Sequence, residues 1–139
     1  MLRKAAVLVL RTGPALGARQ RSATTMNEID RLQTWYRSQC DGEWEHQHGI
    51  TITSCDNPGW WVKINLAGTP LETKPFETVA RNVSPQQMER IAAGIEPDRG
   101  DRGPDWLLCE VKGHVFSGAG DPGKLRTIVE TFLKWAGGG

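Results

Sequence analysis

Apolar residues recur along this chain first at a helical and then at a two-residue spacing, and each rhythm predicts an element. From Ile29 they return as Leu32, Trp35 and Tyr36, with Glu28, Asp30, Arg31 and Arg37 turned to water and Asn27 placed as a cap. This predicts a helix ending near Cys40–Gly42. Trp44, His46, His48, Ile50 and Ile52 then alternate with polar neighbours, which predicts a strand with one buried face. Beyond Asp56-Asn57-Pro58-Gly59 a second alternation sets Val62, Ile64 and Leu66 on one face and Trp61, Lys63 and Asn65 on the other. The two runs predict a hairpin. Facing residues of an antiparallel pair share a sheet face, so Ile52 and Ile64 both point inward only if paired positions sum to an even number. The loop must therefore be odd in length. A five-residue connection with Pro58 and Gly59 at the centre of a type II turn meets that condition and leaves Trp61 on the outer face, near Cys55.

The second half is patterned less regularly. Phe76–Val83 reads as a weaker strand, and Ser84-Pro85 opens a short helix through Met88, Ile91 and Ile95. A polar loop, Glu96–Asp105, separates it from a second predicted hairpin, Trp106–Lys112 and His114–Ser117 about Gly113. Gly118-Ala119-Gly120 is expected to break the sheet. Asp121-Pro122 is expected to cap a last helix with Leu125, Ile128, Val129, Phe132 and Leu133 on its apolar stripe. The order predicts an α+β fold, an antiparallel β-sheet with an N-terminal and a C-terminal helix packed on one face. The other face is then solvated or used.

Composition changes this picture mainly through charge. The 139 residues suffice for one domain, and the longest apolar run, Ala5–Leu10, is far short of a membrane span. The formal net charge of +1 hides an asymmetry: residues 1–25 carry five cations and no acid, whereas residues 26–139 carry a net −4. The expected domain is therefore residues 26–139. Residues 1–25 are read as a basic disordered leader or a start-site extension, basic and acid-free as targeting segments are. An acidic body excludes direct nucleic-acid binding through a basic surface. Three cysteines at unrelated spacings argue against a disulfide framework and for a reducing compartment.

Candidate chemistry is sparse. Cys40 lies at a predicted helix C-terminus beside Asp41 and Glu43, a field that opposes a thiolate. Cys40, His46, His48 and Cys55 match no zinc spacing, so no metal or other cofactor is expected. A small thiol- or metal-dependent enzyme using Cys40 or His46/His48 stands as the alternative reading. Glu43 and Glu45 share a face of the predicted strand, but no motif supplies a cleft for hydrolysis. Gly118-Ala119-Gly120 ahead of a helix offers N–H groups to an anion, or is merely a tight turn. The stronger feature is the stretch Met26–Asp56, with six acids, two arginines and the tryptophans Trp35 and Trp44. Acids steer a basic partner and aromatic side chains anchor it; an ordinary solvated face is the competing explanation.

Trp35-Tyr36, the run Ser38-Gln39-Cys40-Asp41-Gly42-Glu43-Trp44-Glu45-His46, Asp56-Asn57-Pro58-Gly59-Trp60, Gly68-Thr69, Lys74-Pro75-Phe76, Asp105-Trp106, Gly118-Ala119-Gly120 and Trp135-Ala136 follow one another in order. Together they resemble the immunity protein 53 family of bacterial polymorphic toxin systems, from about Ile29 to Ala136. The resemblance implies a non-enzymatic cytoplasmic antitoxin that binds and neutralises a cognate secreted toxin domain. Asp41, Glu43, Trp44, Glu45 and Trp60 carry over as candidate toxin contacts, and Trp61 joins them from the register alone. A basic nuclease is the expected toxin by charge complementarity. A homodimer through the open sheet face is a further expectation. Residues 84–103 depart from the family pattern and read as an insertion.

Overall fold

The computed structural model describes residues 26–56, 58–95 and 105–137. Helix α1, Glu28–Gln39, starts where the Asn27 side chain accepts a hydrogen bond from Asp30 N at 2.9 Å. The one-turn helix α2, Trp44–Gln47, follows. Strands β1, Ile50–Cys55, and β2, Gly59–Asn65, form the first hairpin. After β3, Val79–Arg81, comes α3, Pro85–Ala92, with Ser84 Oγ capping Gln87 N. Strands β4, Leu107–Lys112, and β5, Val115–Gly120, form the second hairpin, and α4, Leu125–Ala136, closes the described chain. The five strands make one antiparallel sheet in the order β1-β2-β5-β4-β3. The α+β architecture is thus as the element order predicts. Among the described residues no helix is long and apolar enough to cross a membrane.

Strand parity divides the interior into two layers. Val62, Ile64, Leu107, Cys109 and Phe116 face Leu32 of α1 and Ile128, Val129, Phe132 and Leu133 of α4. Trp35 of α1 stacks edge-on against Phe132 with ring centroids 5.0 Å apart, joining the two terminal helices over that face. The opposite face carries Cys55, Trp61, Trp106, Leu108 and Ala119, packed against Ile91 and partly covered by Val83 and Met88. So the second face is not left open as expected. The segment read as an insertion contributes α3 to its cover, while residues 96–103 of that segment lie outside the described residues, as do residues 1–25.

Several local expectations give way to tertiary contacts. The hairpin register has Ile50 opposite Ile64 and Ile52 opposite Val62, an even sum as parity requires. Yet the last pair, Cys55 and Gly59, encloses three residues instead of five. Gly59 has no left-handed φ and belongs to β2; a Cβ there would lie 2.4 Å from Gly120 O, so close strand approach, not a type II turn, requires glycine. Of the weak strand Phe76–Val83 only Val79–Arg81 pairs; Phe76 instead seats its ring on Phe116 and Trp135.

Gly118-Ala119-Gly120 does not break the sheet. It is the end of β5, paired on both sides with β2 and β4. Its ladder neighbours leave no row of free N–H groups for an anion. A Cβ on Gly118 would meet Ile128 Cγ2 at 2.3 Å, and one on Gly120 would meet Lys124 Cβ at 2.6 Å. The small residues are what allow α4 to lie directly on the strand.

Asp121 does not cap α4, whose N-cap, Lys124, makes no side-chain cap bond. Its carboxylate instead accepts from Trp106 N at 3.1 Å, Gly123 N at 2.8 Å and Lys124 Nζ at 2.7 Å. Lys124 Nζ also donates to Asp105, which pairs with Arg81 at 3.4 Å. The cluster ties the start of β4, the end of β5 and the first turn of α4 together. Burial opposes ionisation of Asp121, but Lys124 and the two N–H donors outweigh it and hold the carboxyl below its ordinary 3.8. Lys124 holds Asp105 below its ordinary value too, and the two carboxylates raise Lys124 above 10.5.

Two predictions follow from these contacts. Gly118→Ala lowers unfolding free energy in urea by about 2 kcal/mol, the range for forcing a group into a packed core. In an Ile128→Ala background the same change costs less, because the clashing methyl is gone. The Asp–Lys cluster contributes stability in full between its acid and base limits. Depressed carboxyls keep their contribution above pH 3.8 and lose it as pH falls through their folded values; raised Lys124 keeps its contribution below 10.5 and loses it as pH rises through its own. Lys124→Met therefore lowers the melting temperature near neutrality, and scans against pH show the gap to the unsubstituted protein closing at both extremes.

Candidate partner-binding surface

The acidic run from Cys40 to His48 forms a compact knot in place of the predicted strand. Asp41 Oδ1 accepts from the backbone N–H of Glu43 and of Trp44, both at 2.9 Å. Glu45 reaches back, its two carboxylate oxygens accepting from Asp41 N at 3.0 Å and Gly42 N at 2.8 Å. Gly42 takes φ +94°, which a side chain would strain. Local side-chain bonds to the backbone thus outcompete the two-residue alternation and wind α2. His46 is exposed and His48 half-buried, so they do not stand together on a buried strand face. Nor do Glu43 and Glu45 share a strand face.

These bonds decide the electrostatics of the knot. The N–H groups of Trp44 and Glu43 hold the Asp41 carboxyl below its ordinary value. Backbone N–H groups, first Glu45's own and then those of Asp41 and Gly42, lower Glu45 despite the opposing charge of Asp41. Both acids remain ionised at neutral pH, but their oxygens are partly committed to the loop itself. Glu43 is exposed and makes no such bond.

The six candidate contacts do not form one patch. Asp41, Glu43, Trp44 and Glu45 sit at the Gly49/Asn65 end of the first hairpin, where Trp44 Nε1 donates to Ala67 O at 2.8 Å. Trp60 and Trp61 sit at its other end, beside the Cys55–Gly59 pair, and on opposite faces of the sheet. Trp44 is 6% exposed, enclosed by the rings of Trp35, Tyr36 and His48. Trp61 is 9% exposed, with Nε1 to Ser117 Oγ at 3.3 Å and Lys63 Nζ 4.9 Å above its ring. Trp60 is half-buried and donates to Pro122 O at 2.9 Å. The buried pair can shape a surface, but they offer it little area.

What the sequence pattern missed lies alongside β1. The helical spacing puts Ile29 on the buried stripe of α1, yet it is 56% exposed, and Ile52 is 41% exposed. With Leu32, Gln33, Tyr36, His48, Gly49 and Ile50 they line a mostly apolar groove of about 530 Å³ between α1 and β1. The available signal was the strand itself: Ile-Thr-Ile-Thr-Ser-Cys contains neither a charge nor a proline. As for catalysis, Cys40 Sγ donates to Tyr36 O at 3.3 Å, and Cys109 is buried with its thiol pushed up to about 12. Among the described residues no three His, Cys, Asp or Glu side chains are grouped to hold a metal ion.

Compared with known proteins, residues 29–137 match the family model described as immunity protein 53. No curated protein and no solved structure matches the chain.

The geometry separates stability from recognition at the knot. Trp44→Phe loses the bond to Ala67 and leaves a void where the larger indole sat among Trp35, Tyr36 and His48, and lowers unfolding free energy by about 2 kcal/mol. Glu43→Gln leaves the urea midpoint unchanged.

Proposed function

The chain belongs to the immunity protein 53 family, and from that premise we propose that it binds a cognate secreted toxin domain and blocks it, acting in the cytoplasm of the producing cell. Binding, rather than turnover, is the activity an immunity family implies. The observation that supports the choice of partner is where the charge lies. Residues 26–56 carry six acids and two arginines, while residues 57–139 carry ten of each sign, so the whole excess of −4 belongs to α1, the knot and the turn after β1. A surface so biased suits a basic toxin, and a nuclease, which must itself hold phosphates, is the toxin class that best fits it.

The acids act first on encounter. Glu43 and Asp30 are exposed and uncommitted to loop bonds through their carboxylates, so they are free to steer. Asp41 and Glu45 contribute charge while maintaining the shape of the knot. Trp60 offers partly exposed aromatic area at the far end of the hairpin.

Co-expression with the toxin encoded by the adjacent gene tests the reading: growth is restored and the two chains co-elute on gel filtration. Undiminished toxicity with no complex refutes it. Where the complex forms, Asp30→Lys with Glu43→Lys slows association about tenfold at low salt and leaves dissociation within about twofold, because exposed charges govern encounter more than residence. Stopped-flow mixing at two salt concentrations reads both rates.

A further inference from the structure

The two edges of the sheet are built differently. At one edge, β3 is three residues long, ends on Arg81 in its pair with Asp105, and is followed by Asn82 at φ +56°, which turns the chain aside. Shortness and charge are the usual means of closing an edge. At the other, β1 runs for six residues with no charge, no proline and no bulge, and Thr51, Ile52, Thr53 and Ser54 are all exposed. Nothing among the described residues pairs with its outer side.

The ladder shows which backbone groups are left over. Asn65 N donates to Gly49 O at 3.0 Å, so Gly49 and Asn65 are a hydrogen-bonded pair. Such pairs alternate along an antiparallel ladder. Thr51, Thr53 and Cys55, in the same register, therefore bond to β2, whereas Ile50, Ile52 and Ser54 turn their N–H and C=O groups to the open edge. The side chains of Ile50 and Ile52 lie on the α1 side of the sheet, where they form one wall of the groove whose other wall is Ile29, Leu32, Gln33 and Tyr36. An added antiparallel strand would place the residues opposite Ile50 and Ile52 on that same side, in the groove.

We infer that β1 is the docking edge for the toxin: an extended segment of the partner, apolar at alternate positions and flanked by basic residues, pairs with Ile50, Ile52 and Ser54 as a sixth strand and sets its apolar side chains between β1 and α1. This rests on the reading of the chain as a toxin-binding protein and names the surface that does the binding. Two features select this occupant. The free groups are those of a strand edge, which another strand satisfies and a helix does not. Asp30, beside Ile29, and Asp56, at the end of β1, are exposed and belong to the segment with the excess of −4, so a basic segment is attracted, while a second copy brings the same excess of acid to the contact.

The test uses the full chain and the toxin domain encoded beside it, followed by residue-resolved amide exchange. In the free chain the amides of Ile50, Ile52 and Ser54 exchange fast; in the complex they slow at least about tenfold, while Thr51 and Thr53, already bonded to β2, change little. Ile52→Pro removes an outward N–H at an edge position that tolerates proline, and weakens the complex about tenfold or more. Ile29→Gln alters only the far wall of the groove and weakens it about threefold; should Ile52→Pro fail to fold, this variant and the exchange pattern decide. Full-strength binding by the variants, with the three amides still unprotected, overturns the docking edge and leaves the toxin-binding reading standing. No complex with the unsubstituted chain overturns both. Protection of the same amides in the free chain assigns the edge elsewhere and overturns the proposal: to a second copy if sedimentation shows a dimer, to another segment of the same chain if it shows a monomer.

Discussion

Helix α4 lies on β5 closer than a side chain on that strand would permit. Gly118 faces Ile128 and Gly120 faces Lys124 with no room for a Cβ on either, and most of the molecule is arranged around that contact. With α4 so seated, Phe132 meets Phe116 at 5.3 Å and Trp35 at 5.0 Å, which brings α1 down beside it. Arg126 on the outside of α4 meets Glu28 at the start of α1 at 3.3 Å. The same approach delivers Lys124 to Asp105 and Asp121, closing the end of the sheet where β4 begins and β5 stops. Two absent side chains thus govern the placement of both terminal helices. The physical reason is the steepness of repulsion: a methyl group at this distance would displace the helix.

From Phe132 the aromatic contacts run outward in two directions. One passes through Trp35 to Trp44, whose indole N–H fastens the acidic knot to Ala67. The other passes through Trp135 and Phe76 to the loop before β3, where Lys74 Nζ bonds Trp135 O at 2.6 Å and Trp135 Nε1 bonds Pro75 O at 2.8 Å. Several of the residues that carry the family resemblance are consequently structural: Trp44, Thr69 and Trp106 are buried, and Trp35, Lys74, Phe76 and Trp135 are half-buried in the contacts that hold the domain together. One feature they leave uncovered is the edge of β1 with the groove of about 530 Å³ that runs between it and α1.

The helix stripes and the strand parity were legible in the sequence because periodicity is a property of the local chain: Asn27 as a cap, Ser84-Pro85 as a helix start, and the even-sum register of Ile50 and Ile52 against Ile64 and Val62 follow from it. The errors share a cause. Trp44–His48 alternates like a strand, but Asp41 and Glu45 bond to nearby N–H groups and wind it into a turn of helix. Gly118–Gly120 has the composition of a breaker, but a helix many residues away needs those positions empty. Ile29 and Ile52 fit the buried pattern, yet at the edge of the sheet no neighbour among the described residues buries them.

The candidate site divides along the same line. The amino-acid sequence by itself determined most of the element types, the α+β class, the family and the excess of acid in residues 26–56, since these depend on spacing, composition and order. Only the tertiary structure decided which tryptophans are core, which carboxylates are committed to the backbone and which strand is left with an open edge. Those depend on distances between residues far apart in the chain, and a pattern of near neighbours does not encode them. An exposed isoleucine and a buried one are written the same way; what separates them is whether another element arrives to cover them.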